Sequence, residues 1–212
     1  GVKLFQSCFL LNNSACNLLV VLCLVTMTET LFVSATTEEA VYLPDGIDLL
    51  VTGIGTTAAT MILTKELATR EVLPARIVNI GTAGALVGGL AGVYEIEYVL
   101  QHDFSSELIA EMTGKPCSNG STLATSGHFP VASLATGNSF IADSETRNHL
   151  ATRASLCDME GAALVGVAKH FGVPITLLKQ VSDSADEEAS GSWFDAVDAG
   201  ARQLAEAVQE FK

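Results

Sequence analysis

Basic residues are scarce in this chain: Lys and Arg number 11 against 24 Asp and Glu, for a formal net charge of −13. Gripping nucleic-acid phosphates takes clustered cations, so this balance argues against a nucleic-acid partner. It argues equally against a polybasic membrane-surface site. The five cysteines are an odd number, and no CxxC pair or metal-ligand spacing with histidine occurs. Neither a zinc site nor a disulfide framework is supported, and a reducing cytosol is the simplest compartment. HExxH, GxSxG and GxxxxGK[ST] are all missing, so the sequence offers no signature of a zincin, a nucleophile-elbow hydrolase or a P-loop. Long apolar runs are missing too. The most apolar stretch is Leu18–Val25, eight residues, where about 20 are needed to span a bilayer.

What is present points to a folded enzyme-sized domain. Hydrophobic residues make up 49% and charged ones 17% of 212 residues, which excludes general disorder. A chain of that length suits one domain and hides roughly 70% of its unfolded surface. The first 26 residues differ from the rest. From Leu4 to Thr28 no residue is charged, and Asn12, Asn13, Ser14 and Asn17 interrupt the apolar pattern. No small-residue cleavage site follows. We read residues 1–26 as an upstream extension outside the native fold and Met27 as the natural start, with a targeting segment as the alternative. Residues 27–212 form the expected single catalytic domain, with no repeat or linker dividing it.

Along that body, short apolar runs alternate with segments of helical period. Strands are expected at Leu31–Ala35, Ile47–Thr52, Arg76–Ile80, Tyr94–Leu100, Leu123–Thr125, Pro130–Thr136, Pro174–Val181 and in a short stretch ending at Leu156. Helices are expected at Thr56–Val72, Asp143–Ala151, Glu160–Phe171 and Ala189–Phe211. Thr36 to Glu39 reads as a loop leading into a helix, and residues 102–121 as a loop excursion. Such alternation predicts an α/β three-layer sandwich, helices flanking a central mixed, largely parallel sheet. Ligands bind beyond the carboxyl ends of strands in such sheets. The strand ends collect Glu39, Gly53, Thr82, Asn138, Glu160 and Asp183.

The glycine turns carry little chemistry alone. Gly53-Ile-Gly55 lacks the third glycine of GxGxxG, so a tight turn is the plainer reading. Gly81-Thr-Ala-Gly84 either brings a ligand against the backbone or makes a tight turn. The carboxylates Glu39, Glu160 and Asp183 say more. A lone acid near a helix start is ordinarily a dipole partner. Three at one sheet edge can divide labour: one held protonated as a general acid, another ionised to activate water, as in glycosidic cleavage. Asp186-Glu187-Glu188 reads as a solvated helix start, and His102-Asp103 as polar loop surface.

Four segments together resemble the nucleoside phosphorylase/nucleosidase superfamily: Asn79-Ile-Gly-Thr-Ala-Gly-Ala, Ala135-Thr-Gly-Asn-Ser-Phe-Ile, Asp158-Met-Glu-Gly-Ala-Ala and Val181-Ser-Asp-Ser-Ala-Asp. Their order and spacing, with Glu38-Glu39 upstream, are most similar to the 5′-methylthioadenosine/S-adenosylhomocysteine nucleosidase branch. The resemblance implies that Asp183, after Ser182, protonates N7 of a leaving purine. It implies that Glu39 activates water near the ribose C1′, and that Glu160 holds ribose hydroxyls with Met159 packed on the sugar. Phe140 matches the ring stacking on the base, Ile141 the backbone reading its edge, and Thr82 a hydroxyl near sugar and nucleophile. No metal or organic cofactor is implied; the partners implied are a purine nucleoside and a second copy of the chain, in the cytoplasm. Phosphorylases of the superfamily place an arginine where this chain has Asn79, so hydrolysis is expected over phosphorolysis; a non-catalytic nucleoside-binding module is the remaining alternative. Gln101–Gly120 is compressed, and Asp158 stands where the family commonly has Glu, which leaves the 5′ substituent open.

Overall fold

The computed structural model describes residues 30–211. The leader assigned to residues 1–26, and Met27, lie outside the described residues. The body follows an alternating order: β1 (Leu31–Ser34), β2 (Leu49–Val51), α1 (Thr56–Thr69), β3 (Ile77–Ala85), β4 (Val93–Gln101), α2 (Ser106–Thr113), β5 (Gly120–Thr122), β6 (Val131–Thr136), α3 (Ser144–Leu150), β7 (Leu156–Asp158), α4 (Gly161–Phe171), β8 (Ile175–Asp183) and α5 (Ala189–Ala207). Short 3₁₀ turns at Glu38–Ala40 and Val208–Phe211 complete it.

Period-2 alternation explains the layers. Successive strand residues face opposite sides of a sheet. Leu31, Val33 and Ile77 therefore point one way, against Leu63, Leu67, Leu164 and Ala168 of α1 and α4. Phe32, Val78 and Ile80 point the other way, against Leu204 of α5 and Val208 and Phe211 beyond it. Fully burying each such side chain contributes about 1.5–3 kcal/mol, so the helix faces hold the sheet from both sides. The expected three-layer α/β sandwich is what forms.

The sheet runs β2-β1-β3-β7-β6-β4-β5, and β8 pairs with both β3 and β4. Strands β3, β7, β6, β4 and β8 thus close on themselves. Pairing is parallel for β1–β3, β3–β8, β4–β6 and β6–β7, and antiparallel for β3–β7, β4–β8 and β4–β5. The β3–β8 register sets the site: Gly81 lies opposite Lys179, and Gly84 opposite Asp183.

Several expected boundaries move. The Gly81-Thr-Ala-Gly84 segment is not a turn: β3 continues through it to Ala85, because its neighbours β7 and β8 supply ladder partners on both sides. Residues 102–121 are not a bare excursion but contain α2 and the start of β5, which begins three residues before the expected Leu123. The strand expected to end at Leu156 begins there. After Thr36 the chain makes only one 3₁₀ turn, too few residues before Pro44-Asp45-Gly46 for a longer helix. Asp143 does cap α3, its carboxylate accepting from Thr146 N at 2.7 Å. Among the described residues, no helix is long and apolar enough to cross a membrane.

Candidate active site

A cavity of about 290 Å³ opens where β3, β7 and β8 end. All eight sequence-derived site residues line it: Asp183, Glu39, Glu160, Met159, Phe140, Ile141, Thr82 and Ser182. Four carboxylates meet there, since Asp158 lines it as well.

Glu39 sits in the 3₁₀ turn and is buried. Its Oε1 accepts from Thr82 N at 2.7 Å and Thr82 Oγ1 at 2.8 Å. Its Oε2 accepts from Ser34 Oγ at 3.2 Å and Thr36 N at 3.3 Å. The Ser34 hydroxyl also donates to Thr36 O at 2.9 Å, so that hydrogen is shared.

Asp183 ends β8. Its Oδ1 accepts from Ala185 N at 2.8 Å, and its Oδ2 from Ser182 Oγ at 2.7 Å. Ala185 takes a left-handed backbone, φ 49°, which is strained for a residue with a Cβ. That turn aims the Ala185 N–H at the acid. Gly84 gives the carboxylate its room: a Cβ there would stand 3.0 Å from Asp183 Oδ1 and 3.1 Å from Cys157 Sγ. Gly81 does the same for Lys179 Nζ, 3.2 Å from a Cβ, and Glu39 Oε1, 3.4 Å. The glycine motif therefore makes space chiefly for side chains.

Glu160 directly precedes α4. Gly55 N donates to its Oε1 at 2.7 Å, which ties the start of α1 to the cavity. Gly55 has φ 96°, a conformation glycine takes without penalty, so the Gly53-Ile-Gly55 turn is a tight turn whose N–H serves a carboxylate. Burial, and then the Asp158 charge, push the Glu160 carboxyl up to about 7, while Lys179 and the Gly55 N–H pull the other way.

Sequence reasoning missed Lys179. It is fully buried, and its Nζ lies 2.9 Å from Asp158 Oδ2. Burial works against its charge, but Asp158, Glu160 and Glu39 outweigh that and raise its pKa. The signal was a lone lysine inside the apolar run Pro174–Val181, since a buried lysine needs an anionic partner. Asp158 proves to be the junction. It also accepts from Thr136 Oγ1 at 2.6 Å and from Gly161 N at 2.8 Å, so it caps α4 in place of Glu160. Cys157 is buried beside it. Burial, then Asp183 and Asp158, push its thiol up to about 12, so it stays protonated and unreactive.

The rim is built differently. Phe140 is 48% exposed at the mouth, and Ile54 is exposed beside it, while Ile141 is buried. Asn138 Oδ1 accepts from Thr56 N and Thr56 Oγ1, at 3.0 and 2.9 Å, and Asn138 N donates to Asp103 Oδ2 at 3.0 Å. Asp103 thus anchors the rim. Asp186 and Glu187 lie outside this cavity, pairing with Arg147 and accepting from Ser144.

Comparison with known proteins agrees with this geometry. The phosphorylase superfamily profile matches residues 45–211. A 5′-methylthioadenosine/S-adenosylhomocysteine nucleosidase from Shewanella frigidimarina is 32% identical over 169 residues, 68% of this chain and 72% of the relative. An aminodeoxyfutalosine nucleosidase from Helicobacter pylori is 43% identical over 65 residues, 30% of this chain and 28% of the relative. The crystal structure of a Helicobacter pylori 5′-methylthioadenosine/S-adenosylhomocysteine nucleosidase superposes with a TM-score of 0.76 at 21% identity, covering 87% of this chain and 97% of that one. By profile, by sequence and by fold, the chain belongs to the phosphorylase superfamily.

Proposed function

We propose that the chain hydrolyses the N-glycosidic bond of a purine nucleoside, releasing the free base and a ribose derivative. The observation that carries this reading is the lining of the cavity: four carboxylates and, among the described residues, no lysine or arginine. Such a lining stabilises a cationic sugar and repels a phosphate dianion. Asn79, at the position where the superfamily's phosphorylases carry an arginine, donates its amide to Val33 O at 3.0 Å and Ile80 O at 3.2 Å. Water is therefore the nucleophile, and phosphorolysis the disfavoured alternative. A non-catalytic binding module would have no use for a base and an acid in one cavity.

Bond cleavage proceeds through an oxocarbenium-like state, with electrons leaving onto the base. Asp183 donates a proton to N7, so the leaving group departs neutral. Ala185 N keeps Oδ1 an acceptor, which leaves Oδ2 to carry that proton. The Ser182 hydroxyl can turn toward Ala83 O, 3.4 Å away, and then accept from the protonated acid. Glu39, held through both carboxylate oxygens, takes the proton of the attacking water, with the Thr82 hydroxyl beside it. Glu160 receives the ribose hydroxyls, Met159 packs on the sugar, Phe140 stacks on the base and the Ile141 backbone reads its edge.

The substrate assigned is of the 5′-methylthioadenosine/S-adenosylhomocysteine type, on the similarity to nucleosidases so named. A futalosine-type nucleoside is the second reading, favoured by the 43% identity over 65 residues to the aminodeoxyfutalosine nucleosidase. We place the enzyme in the cytoplasm as a homodimer whose second copy completes the mouth of the pocket. The test is release of adenine from methylthioadenosine, with and without phosphate. Equal release in both supports hydrolysis, and release only with phosphate overturns it.

A further inference from the structure

Three of the four carboxylates that line the cavity, Glu39, Asp158 and Glu160, lie around one cation buried behind the lining, Lys179, and the hydrogen bonds are not shared evenly. Glu39 accepts from Thr82 N, Thr82 Oγ1 and Thr36 N, and shares the Ser34 hydroxyl with Thr36 O. Asp158 accepts from Thr136 Oγ1 and Gly161 N and holds the Lys179 ammonium at 2.9 Å. Glu160, equally buried, accepts among the described residues only from Gly55 N. A buried carboxylate is stable in proportion to the donors and cations that replace its water. By that measure Glu160 is the least satisfied anion of the three.

Its surroundings are mixed but tilt against the anion: burial and two nearby carboxylates disfavour it, and Lys179 and the Gly55 N–H oppose them. From β7 it faces Asp158, from β8 Lys179 and Asp183, and from the 3₁₀ turn Glu39. The start of α1 offers one N–H and no charge, and residues 137–141 of the rim contain no titratable group. Behind the rim stands His102, whose pKa is lowered by burial, and Asp103, engaged with Asn138 N. The first N–H groups of α4 are spent on Asp158 and Thr136, which weakens that helix's pull on Glu160.

We propose that Glu160 carries an exchangeable proton in the empty pocket and releases it when the vicinal diol of a nucleoside binds. This rests on the nucleosidase reading, which supplies the diol. Two ribose hydroxyls are two new donors, and donors stabilise the anion. The carboxyl O–H bond breaks, the carboxylate accepts from the hydroxyls, and the proton leaves to the buffer. No electron changes hands. Affinity for the diol then rises with pH through the range in which the free carboxyl titrates, and is flat above it.

The experiment is calorimetry with an adenine C-nucleoside, whose carbon–carbon glycosidic bond resists hydrolysis, beside its 2′,3′-dideoxy counterpart. Each is titrated in two buffers of different ionisation enthalpy. Proton movement at the base is common to both compounds, so the difference between them isolates the diol. With the carboxyl titrating near 7, the diol should release about half a proton per site at pH 7 and almost none at pH 9. Failure of the ribonucleoside to bind overturns the nucleoside reading and this inference with it. Binding with equal proton release from both compounds overturns this inference alone. A second measurement needs no ligand: carboxyl-carbon NMR of the free protein, with Glu160→Gln to assign the signal. A glutamate titrating near neutral pH and absent from the variant supports the proposal. Titration of Glu160 wholly below pH 5 overturns it.

Discussion

The floor and the rim of the cavity are built on opposite principles. The floor comes from strands: Lys179 and Asp183 on β8, Asp158 on β7, Thr82 on β3, each fixed by ladder register. Asp158 and Lys179 are buried there and satisfy each other, so neither can move without stranding the other. The rim comes from connections, residues 137–141 and the turn before α1, and leaves large apolar side chains in solvent: Phe140 is 48% exposed and Ile54 58%. Chemistry needs fixed geometry and is placed on strands and on buried, hydrogen-bonded turns such as those of Glu39 and Glu160, while selection of a ligand tolerates adjustment and is left to the exposed connections. Substitutions on the floor should therefore cost turnover or folding, and substitutions on the rim should change affinity.

The largest effect expected is on the floor. Asp183→Asn keeps size and acceptor but cannot give a proton, and should lower kcat by about 10²–10⁴-fold. Glu39→Gln should fall in the same range and also lower Tm, since its amide nitrogen would face a backbone N–H donor, whereas Asp183→Asn should leave thermal unfolding nearly unchanged. Next comes Lys179→Met. It leaves Asp158 buried without its cation, and breaking such a pair costs about 3–5 kcal/mol, readable in urea unfolding.

Glu160 adds a pH dependence. Its carboxyl is raised from an ordinary 4.5 to about 7, so the folded state keeps a proton that the unfolded chain gives up. Between those values the folded state binds more protons, and stability falls as pH rises. Glu160→Gln removes that loss and should raise Tm relative to the unaltered chain at pH 8 but not at pH 4. The smallest effects belong to the rim and beyond. Phe140→Ala should raise KM several-fold with kcat and stability little changed. Asp143→Ala, which removes the cap of α3, should cost about 1 kcal/mol and leave KM alone. A Phe140→Ala variant that lost kcat while keeping KM would break the division between floor and rim.

How much of this was legible beforehand follows the same division. The layers were readable because short apolar runs such as Leu31–Ala35 alternate with segments of helical period. The floor acids were readable because Glu39, Glu160 and Asp183 lie where apolar runs stop, and the motifs around them resemble a known family. Lys179 was not, since hydropathy counts a buried lysine only as an interruption, and its partner Asp158 lies 21 residues away in sequence. The continuation of β3 through Gly81 and Gly84 was also hidden. Glycines ordinarily mark turns, and their reason here is close approach of Lys179, Glu39 and Asp183 from other elements. Residues 102–121 misled because α2 is only eight residues long and largely exposed, with Ser106 its buried residue.

The central claim is that Asp183 gives a proton to the departing base while Glu39 readies water beside it. The most direct test compares adenine release from methylthioadenosine by the unaltered chain and by Asp183→Asn, in phosphate-free buffer. Steady release by the first and a loss of at least about 100-fold in the second is the predicted result. Turnover by the variant at the rate of the unaltered chain would contradict it.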